Sequence, residues 1–71
     1  MNKPDFVLYT EDKRVYFTRE GLDCSVIITE KQGREHKVAA VRRLRGEHVE
    51  TLVRSLLEEG FDFGLGEQHT K

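Results

Sequence analysis

The sequence contains one cysteine, Cys24, one proline, Pro4, and no tryptophan among its 71 residues. A single cysteine excludes an internal disulfide framework and a zinc site built from several thiolates. No stretch approaches the ~20 consecutive apolar residues of a membrane-spanning helix, and the mean hydropathy is −0.62. We therefore expect a cytoplasmic protein that does not enter a membrane.

Net charge is also nearly absent, because 12 lysines and arginines stand against 13 aspartates and glutamates, which leaves −1 at pH 7. This balance argues against a protein that coats nucleic acid indiscriminately. A core of this size rarely supplies more than about 3–5 kcal/mol of stability, and oligomerisation is a common remedy. The sequence predicts one α+β domain over residues 1–63, as a monomer or a homodimer, and a flexible tail over residues 64–71.

Two segments rich in β-branched and aromatic residues, 6–10 and 14–18, flank a polar triplet and predict a β-hairpin. A two-residue loop would pair Tyr9 with Tyr16, whereas a three-residue loop would shift every partner by one position. We favour the two-residue loop because it sets Glu11 opposite Arg14 as an attractive pair.

A second hairpin follows, and its first strand, residues 24–30, is predicted to be the most buried of the protein. The triplet 31–33 suits a three-residue loop that ends in glycine, which takes positive φ without a steric clash. A two-residue loop would instead oppose Glu30 to Glu35. The favoured register gives the pairs Glu30–Arg34, Ile28–His36, Val26–Val38 and Cys24–Ala40, and it assigns Cys24, Val26, Ile28, Val38 and Ala40 to the inner face.

After residue 43 the apolar period changes from two to 3.6, which predicts an amphipathic helix. Gly60 fits the C′ position of a Schellman motif, and Gly46 is the best available N-cap. We expect a four-stranded antiparallel meander followed by this helix on one face, a ββββα fold, with residues 61–63 forming a short edge strand or lying across the core. The apolar stripe consists of Val49, Leu52, Val53, Leu56 and Leu57.

Residues that support catalysis in other proteins are poorly placed for it here. Cys24 begins an apolar strand, so we predict a buried and inert thiol. The three histidines, at 36, 48 and 69, have no metal-ligand spacing. Glu58 and Glu59 are neighbours in a helix and point about 100° apart, so they cannot flank one bond. We predict that the protein is not an enzyme and uses no cofactor, metal or small-molecule substrate.

Charge is segregated along the chain even though its sum is close to zero. Residues 1–30 carry 4 basic and 6 acidic side chains, residues 31–45 carry 6 and 1, and residues 46–71 carry 2 and 6. A basic strand is therefore followed by an acidic helix. The basic segment contains Lys31, Arg34, Lys37, Arg42, Arg43 and Arg45.

This segment and the outer sheet face predict a small non-catalytic binding module that binds nucleic acid or is associated with transcription. Arginines near a helix start can contact phosphates, and Gly46 would leave the first helical N–H groups accessible. If Tyr9 and Tyr16 share the outer sheet face with Lys37, bases could stack there. The alternative is a protein-interaction adaptor or homodimer that uses the outer face or the edge of the fourth strand, with basic and acidic surfaces pairing.

Overall fold

Five antiparallel strands and one helix make up the part of the chain that the structure, a computed structural model, describes, residues 4–65. The strands lie in the order β4-β3-β2-β1-β5 within one sheet. The predicted α+β meander with a following helix is thus confirmed, with β5 as an additional strand. The elements are β1 (Phe6–Tyr9), β2 (Lys13–Glu20), β3 (Asp23–Gln32), β4 (Glu35–Arg45), α1 (Gly46–Glu58) and β5 (Asp62–Leu65).

Strand β5 forms the edge of the sheet opposite β4. It pairs antiparallel with β1, and Leu8 lies opposite Phe63. The segment 61–63 therefore leads into an edge strand rather than lying across the core. Gly64 and Leu65 belong to β5, so the sheet extends two residues beyond the predicted domain boundary. Residues 66–71 of the predicted tail lie outside the described residues.

Alternate positions of β1, β2 and β3 form the inner face of the sheet, which α1 covers as it crosses from the end of β4 to the start of β5. Phe17 is fully buried and stacks on Phe6 with 4.7 Å between ring centroids. Leu57 stays 45% exposed, so the helix packs with a narrower stripe than predicted. The buried cluster is Leu8, Val15, Phe17, Cys24 and Val26, against which Val49, Leu52, Val53 and Leu56 pack.

The helix ends as predicted, in a Schellman motif. Phe61 N–H donates to the Leu56 carbonyl at 3.0 Å, and Gly60 N–H donates to the Leu57 carbonyl at 3.1 Å. Gly60 has φ 104°, a backbone conformation that residues with a Cβ rarely adopt.

The start of the helix differs from the prediction. Arg45 is the N-cap, with extended backbone angles, and Gly46 is the first helical residue. Gly46 N–H donates to the Leu22 carbonyl in the β2–β3 turn at 2.9 Å. The Gly46 amide is therefore engaged inside the protein and is not available to a phosphate.

The first hairpin differs in register from both loops that we considered. Tyr9 pairs with Arg14, and Thr10 N–H donates to the Lys13 carbonyl at 2.8 Å, so the chain turns at Glu11 and Asp12. The Thr10 hydroxyl accepts hydrogen bonds from the Asp12 and Lys13 amides at 3.3 and 3.1 Å and closes this turn. The favoured pairing of Tyr9 with Tyr16 is wrong by two residues, and because side chains alternate with period two, the assignment of faces is unchanged.

The second hairpin also departs from its predicted register. Gln32 pairs with Glu35, so Gly33 and Arg34 form a two-residue turn in which only the glycine has positive φ, as in a type II′ turn. The β3–β4 register then shifts between Ile28 and Thr29, and Ala39 is the extra residue of β4. Opposite pairs are Thr29–Val38 before the shift and Ile28–Ala40 after it.

The extra residue corrects the predicted inner face. Cys24, Val26, Ile28 and Ala40 occupy that face, but Val38 lies opposite Thr29 on the other side. The sequence contains no proline or glycine near Ala39 that would mark the irregularity.

Replacement of Gly60 by alanine is expected to lower the free energy of unfolding by ~1–2 kcal/mol, because alanine is strained at this positive φ. Urea denaturation followed by circular dichroism measures the change. Ser55→Ala, on the exposed side of α1, is the control and should be nearly neutral. An unchanged midpoint for Gly60→Ala would contradict the role assigned to the Schellman motif.

Candidate nucleic-acid interface

The outer face is the side of the sheet turned away from α1, and the strand register aligns its side chains in rows. The rows combine aromatic, aliphatic, hydroxyl and basic groups. One row contains Val38, Thr29, Arg14, Tyr9 and Asp62, the next contains Val41, Ile27, Tyr16, Val7 and Gly64, and the third contains Arg43, Ser25 and Thr18.

Tyr9 and Tyr16 lie on this face, and both neighbour the same basic residue. Arg14 is directly opposite Tyr9 and two positions before Tyr16 on β2. Both tyrosines are half-buried. The register therefore creates a Tyr–Arg–Tyr cluster at the end of the outer face that lies next to the β1–β2 turn.

The ring of Tyr9 leans across the edge strand β5. A Cβ added at Gly64 would lie 3.2 Å from Tyr9 Cε1 and 3.5 Å from Val7 Cγ1. Gly64 thus allows the ring to lie close to the β5 backbone. This contact gives the ring a defined position on the outer face.

The six predicted basic residues do not converge on one surface. Lys31, Arg43 and Arg45 lie on the outer face, whereas Lys37 and Arg42 alternate to the opposite side. Arg34 lies in the β3–β4 turn. The expected sharing of one face by Tyr9, Tyr16 and Lys37 is therefore wrong for Lys37, because the extra residue Ala39 reverses the alternation before it.

Ion pairs neutralise one of the outer-face arginines. Arg43 contacts Glu20 at 3.1 Å and Asp23 at 3.2 Å. Within the described chain, no carboxylate lies within ion-pair distance of Arg14, Lys31 or Arg45. The acidic helix does not neutralise β4, since its Glu50 pairs with Arg54 at 3.2 Å and its Glu47 lies 3.8 Å from His48.

One corner of the outer face contains polar atoms without partners. Thr29 is 8% exposed, and its Oγ1 has no hydrogen-bond partner. His36 lies opposite Lys31 in the next row, and its buried Nδ1 also lacks a partner. Desolvation, Arg14 and Lys31 lower the pKa of His36, while Asp12 opposes them.

Sequence reasoning missed Arg14 and Thr29 as candidate site residues. Arg14 was assigned to a hairpin ion pair with Glu11, although the alternation along β2 already places it on the same face as Tyr16. The position of Thr29 beside His36 depends on the extra residue in β4. No local sequence pattern predicts this extra residue.

A second concave region lies at the other end of the sheet, between the β2–β3 turn and the start of α1. This cleft has a volume of about 630 Å³ and is lined by both charged and apolar side chains, including Arg19, Leu22 and Cys24. Burial raises the pKa of the Cys24 thiol, and nearby Asp5 and Glu20 add to that effect. The thiol is therefore kept in its neutral, weakly nucleophilic form at neutral pH.

The chain matches no protein-family model, no curated protein and no solved structure. Over residues 4–65, no helix has the length and apolar character needed to cross a membrane. In the same residues, no group of three or more histidine, cysteine, aspartate or glutamate side chains is placed to hold a metal ion.

Thr29→Val is expected to raise the free energy of unfolding by ~1 kcal/mol, because it removes a buried hydroxyl that has no hydrogen-bond partner and keeps the side-chain shape. Thr18→Val, on the same face but half-exposed, is the control and should change stability little. Thermal unfolding of both variants measures the difference. A clear loss of stability in Thr29→Val alone would show that the hydroxyl has a stabilising partner.

The lowered pKa of His36 predicts a pH dependence of stability. As the pH falls through and below the ordinary value of 6.5, the unfolded chain takes up the proton before the folded one, so folded stability is lost. His36→Gln should remove this part of the loss between about pH 7.5 and about pH 5.5. Urea midpoints at both pH values test it, and an equal acid loss in variant and wild type would contradict it.

Proposed function

We propose that the protein is a non-catalytic module that binds single-stranded nucleic acid on the outer face of its sheet. The observation that carries this proposal is the Tyr9–Arg14–Tyr16 cluster, which places two aromatic rings and one guanidinium on the same sheet surface. Sheets with this combination bind bases by stacking and the backbone by charge.

The chemistry of this face suits a single strand. Stacking of a base on an aromatic side chain contributes about 1–3 kcal/mol and tolerates any base. Arg14 neighbours both tyrosines in the register, where its guanidinium can contact a phosphate. Lys31 and Arg45 lie near the two ends of β3 and β4, about 26 Å apart along the strand direction.

Base stacking on a sheet requires unpaired bases, because a duplex hides their faces within its own stack. The outer face presents no helix of the described chain that could enter a major groove. We therefore expect single strands to bind more tightly than a duplex of the same length.

Self-association through β4 is the weaker alternative. Antiparallel pairing of two β4 edges about a two-fold axis would join two strands that each contain several basic residues and a single acidic one, Glu35, so like charges would outnumber attractive pairs. The extra residue Ala39 also interrupts the edge, a feature that protects strands from such pairing. A protein partner on the outer face would use the exposed Val38 and Val41.

Fluorescence anisotropy with labelled oligothymidylate and oligouridylate of about 10 nucleotides tests the proposal. The expected result is binding to both that weakens as salt increases and exceeds binding to a duplex of equal length. Absence of binding at low salt would refute the proposal, because phosphate contacts are strongest there.

Tyr16→Leu and Tyr9→Leu are each expected to weaken oligothymidylate binding by about 5-fold to 100-fold, which corresponds to the loss of one stacked base. Tyr→Phe at the same positions keeps the ring and should retain most of the affinity. Circular dichroism and the melting temperature confirm that each variant is folded. Equal affinity of the leucine variants and the wild type would contradict stacking on these rings.

Arg14→Gln is expected to reduce the slope of log K against log salt by about 0.7, the contribution of one phosphate contact on a single strand. Arg54→Gln is the matched control, because it removes the same charge from α1, on the other side of the sheet. An equal change of slope in both variants would indicate a general charge effect rather than a contact at Arg14.

A further inference from the structure

We propose that Arg14, Thr29, Lys31 and His36 form a binding site for a phosphate-type oxyanion at one corner of the outer face. The inference that a backbone phosphate of the bound strand occupies this site rests on the proposed function. The site itself follows from the arrangement of these four side chains.

The four residues occupy neighbouring positions on three strands. Arg14 on β2 is directly opposite Thr29 on β3, and Lys31 on β3 is directly opposite His36 on β4. Directly opposed residues have Cβ atoms about 5 Å apart, and diagonal neighbours lie about 7 Å apart. A tetrahedral oxyanion can therefore contact several of them at once, with the guanidinium and the ammonium supplying its countercharge.

Two buried polar atoms without hydrogen-bond partners support a ligand site at the same corner. Among the described residues, the buried side-chain nitrogens and oxygens without a hydrogen-bond partner are Thr29 Oγ1 and His36 Nδ1. Such groups are costly and usually have a partner. An oxyanion would accept a hydrogen bond from the hydroxyl and another from a protonated Nδ1. Both atoms are shielded in the free protein, so an oxyanion reaches them only after the surrounding side chains change rotamer.

The irregularity in β4 brings His36 into this corner. Without the extra residue Ala39, the register of the second half of the hairpin would continue and set His36 opposite Gln32, on the side of the helix. With it, the imidazole lies on the outer face. Bulges often re-aim a side chain in this way next to functional sites.

Charges around the imidazole connect oxyanion binding to protonation. The charged groups that face His36 are Arg14 on β2, Lys31 on β3 and Asp12 in the β1–β2 turn. Burial and the two cations lower the pKa of His36. An oxyanion between them offsets their effect and favours the imidazolium, so binding should strengthen as the pH falls.

The test is an NMR titration of the His36 ring against pH in sodium sulfate and in sodium chloride at equal ionic strength. Sulfate is the probe because it keeps its charge across this pH range. The expected result is a pKa of His36 higher in sulfate by about half a unit or more. Equal curves for His36 in both salts would overturn the site.

Variants separate the site from a general effect of sulfate. Arg14→Gln and Thr29→Val are each expected to weaken sulfate binding at His36 about 10-fold or more, and Arg54→Gln should leave it unchanged. Thr29→Val is informative because its melting temperature should be equal to or above that of the wild type. Wild-type sulfate affinity in both Arg14→Gln and Thr29→Val would overturn the site.

Two further titrations, with inorganic phosphate and with oligothymidylate, distinguish the sources of the oxyanion. A shift of His36 with oligothymidylate that Arg14→Gln abolishes would assign the site to a strand phosphate. A shift with inorganic phosphate and sulfate, without oligonucleotide binding, would support the site and refute the proposed function. Oligonucleotide binding without a response of His36 to any of these anions would support the function and refute the site.

Discussion

Burial of one sheet face by one helix is the constraint on which the rest of the structure depends. α1 crosses the inner face from β4 to β5, and its apolar stripe packs against the cluster around Phe17. A single 13-residue helix covers only one side, so the other face of the described sheet has no element packed on it. Packing on that face comes from the sheet's own side chains: Val7 is fully buried there, and the Tyr9 ring lies close to Gly64, which is directly opposite Val7. Tyr9 therefore has a packing role, and in our proposal it also binds a ligand.

The inner architecture was predictable because its signals are local. A change of apolar period from two to 3.6 identifies the helix, and Gly60 identifies its end, since few residues accept that backbone conformation. The registers were not predictable to the same degree. Short turns at neighbouring positions differ little in energy, and here the turns are fixed by the hydrogen bonds of Thr10 and by the positive φ of Gly33.

The candidate site shows how such small differences propagate. The predicted register of the first hairpin was wrong by two residues, which does not change the face of any side chain, so Tyr9 and Tyr16 still share one face. The extra residue Ala39 had the opposite consequence, because one residue exchanges the faces of a strand. It placed Lys37 on the face opposite the tyrosines and His36 beside Thr29. The common face of the two tyrosines could therefore be predicted from the sequence, whereas the position of His36 beside Thr29 could not.

The near-zero net charge has a consequence for how such a surface binds. The basic segment is divided between two faces and a turn, and Arg43 is already paired with Glu20 and Asp23, so few cations remain for a ligand on the outer face. A protein that relies on charge alone would bind weakly with so few contacts. In the proposed function, affinity on this face would therefore come mainly from stacking, and a small number of phosphate contacts would fix the path of the strand.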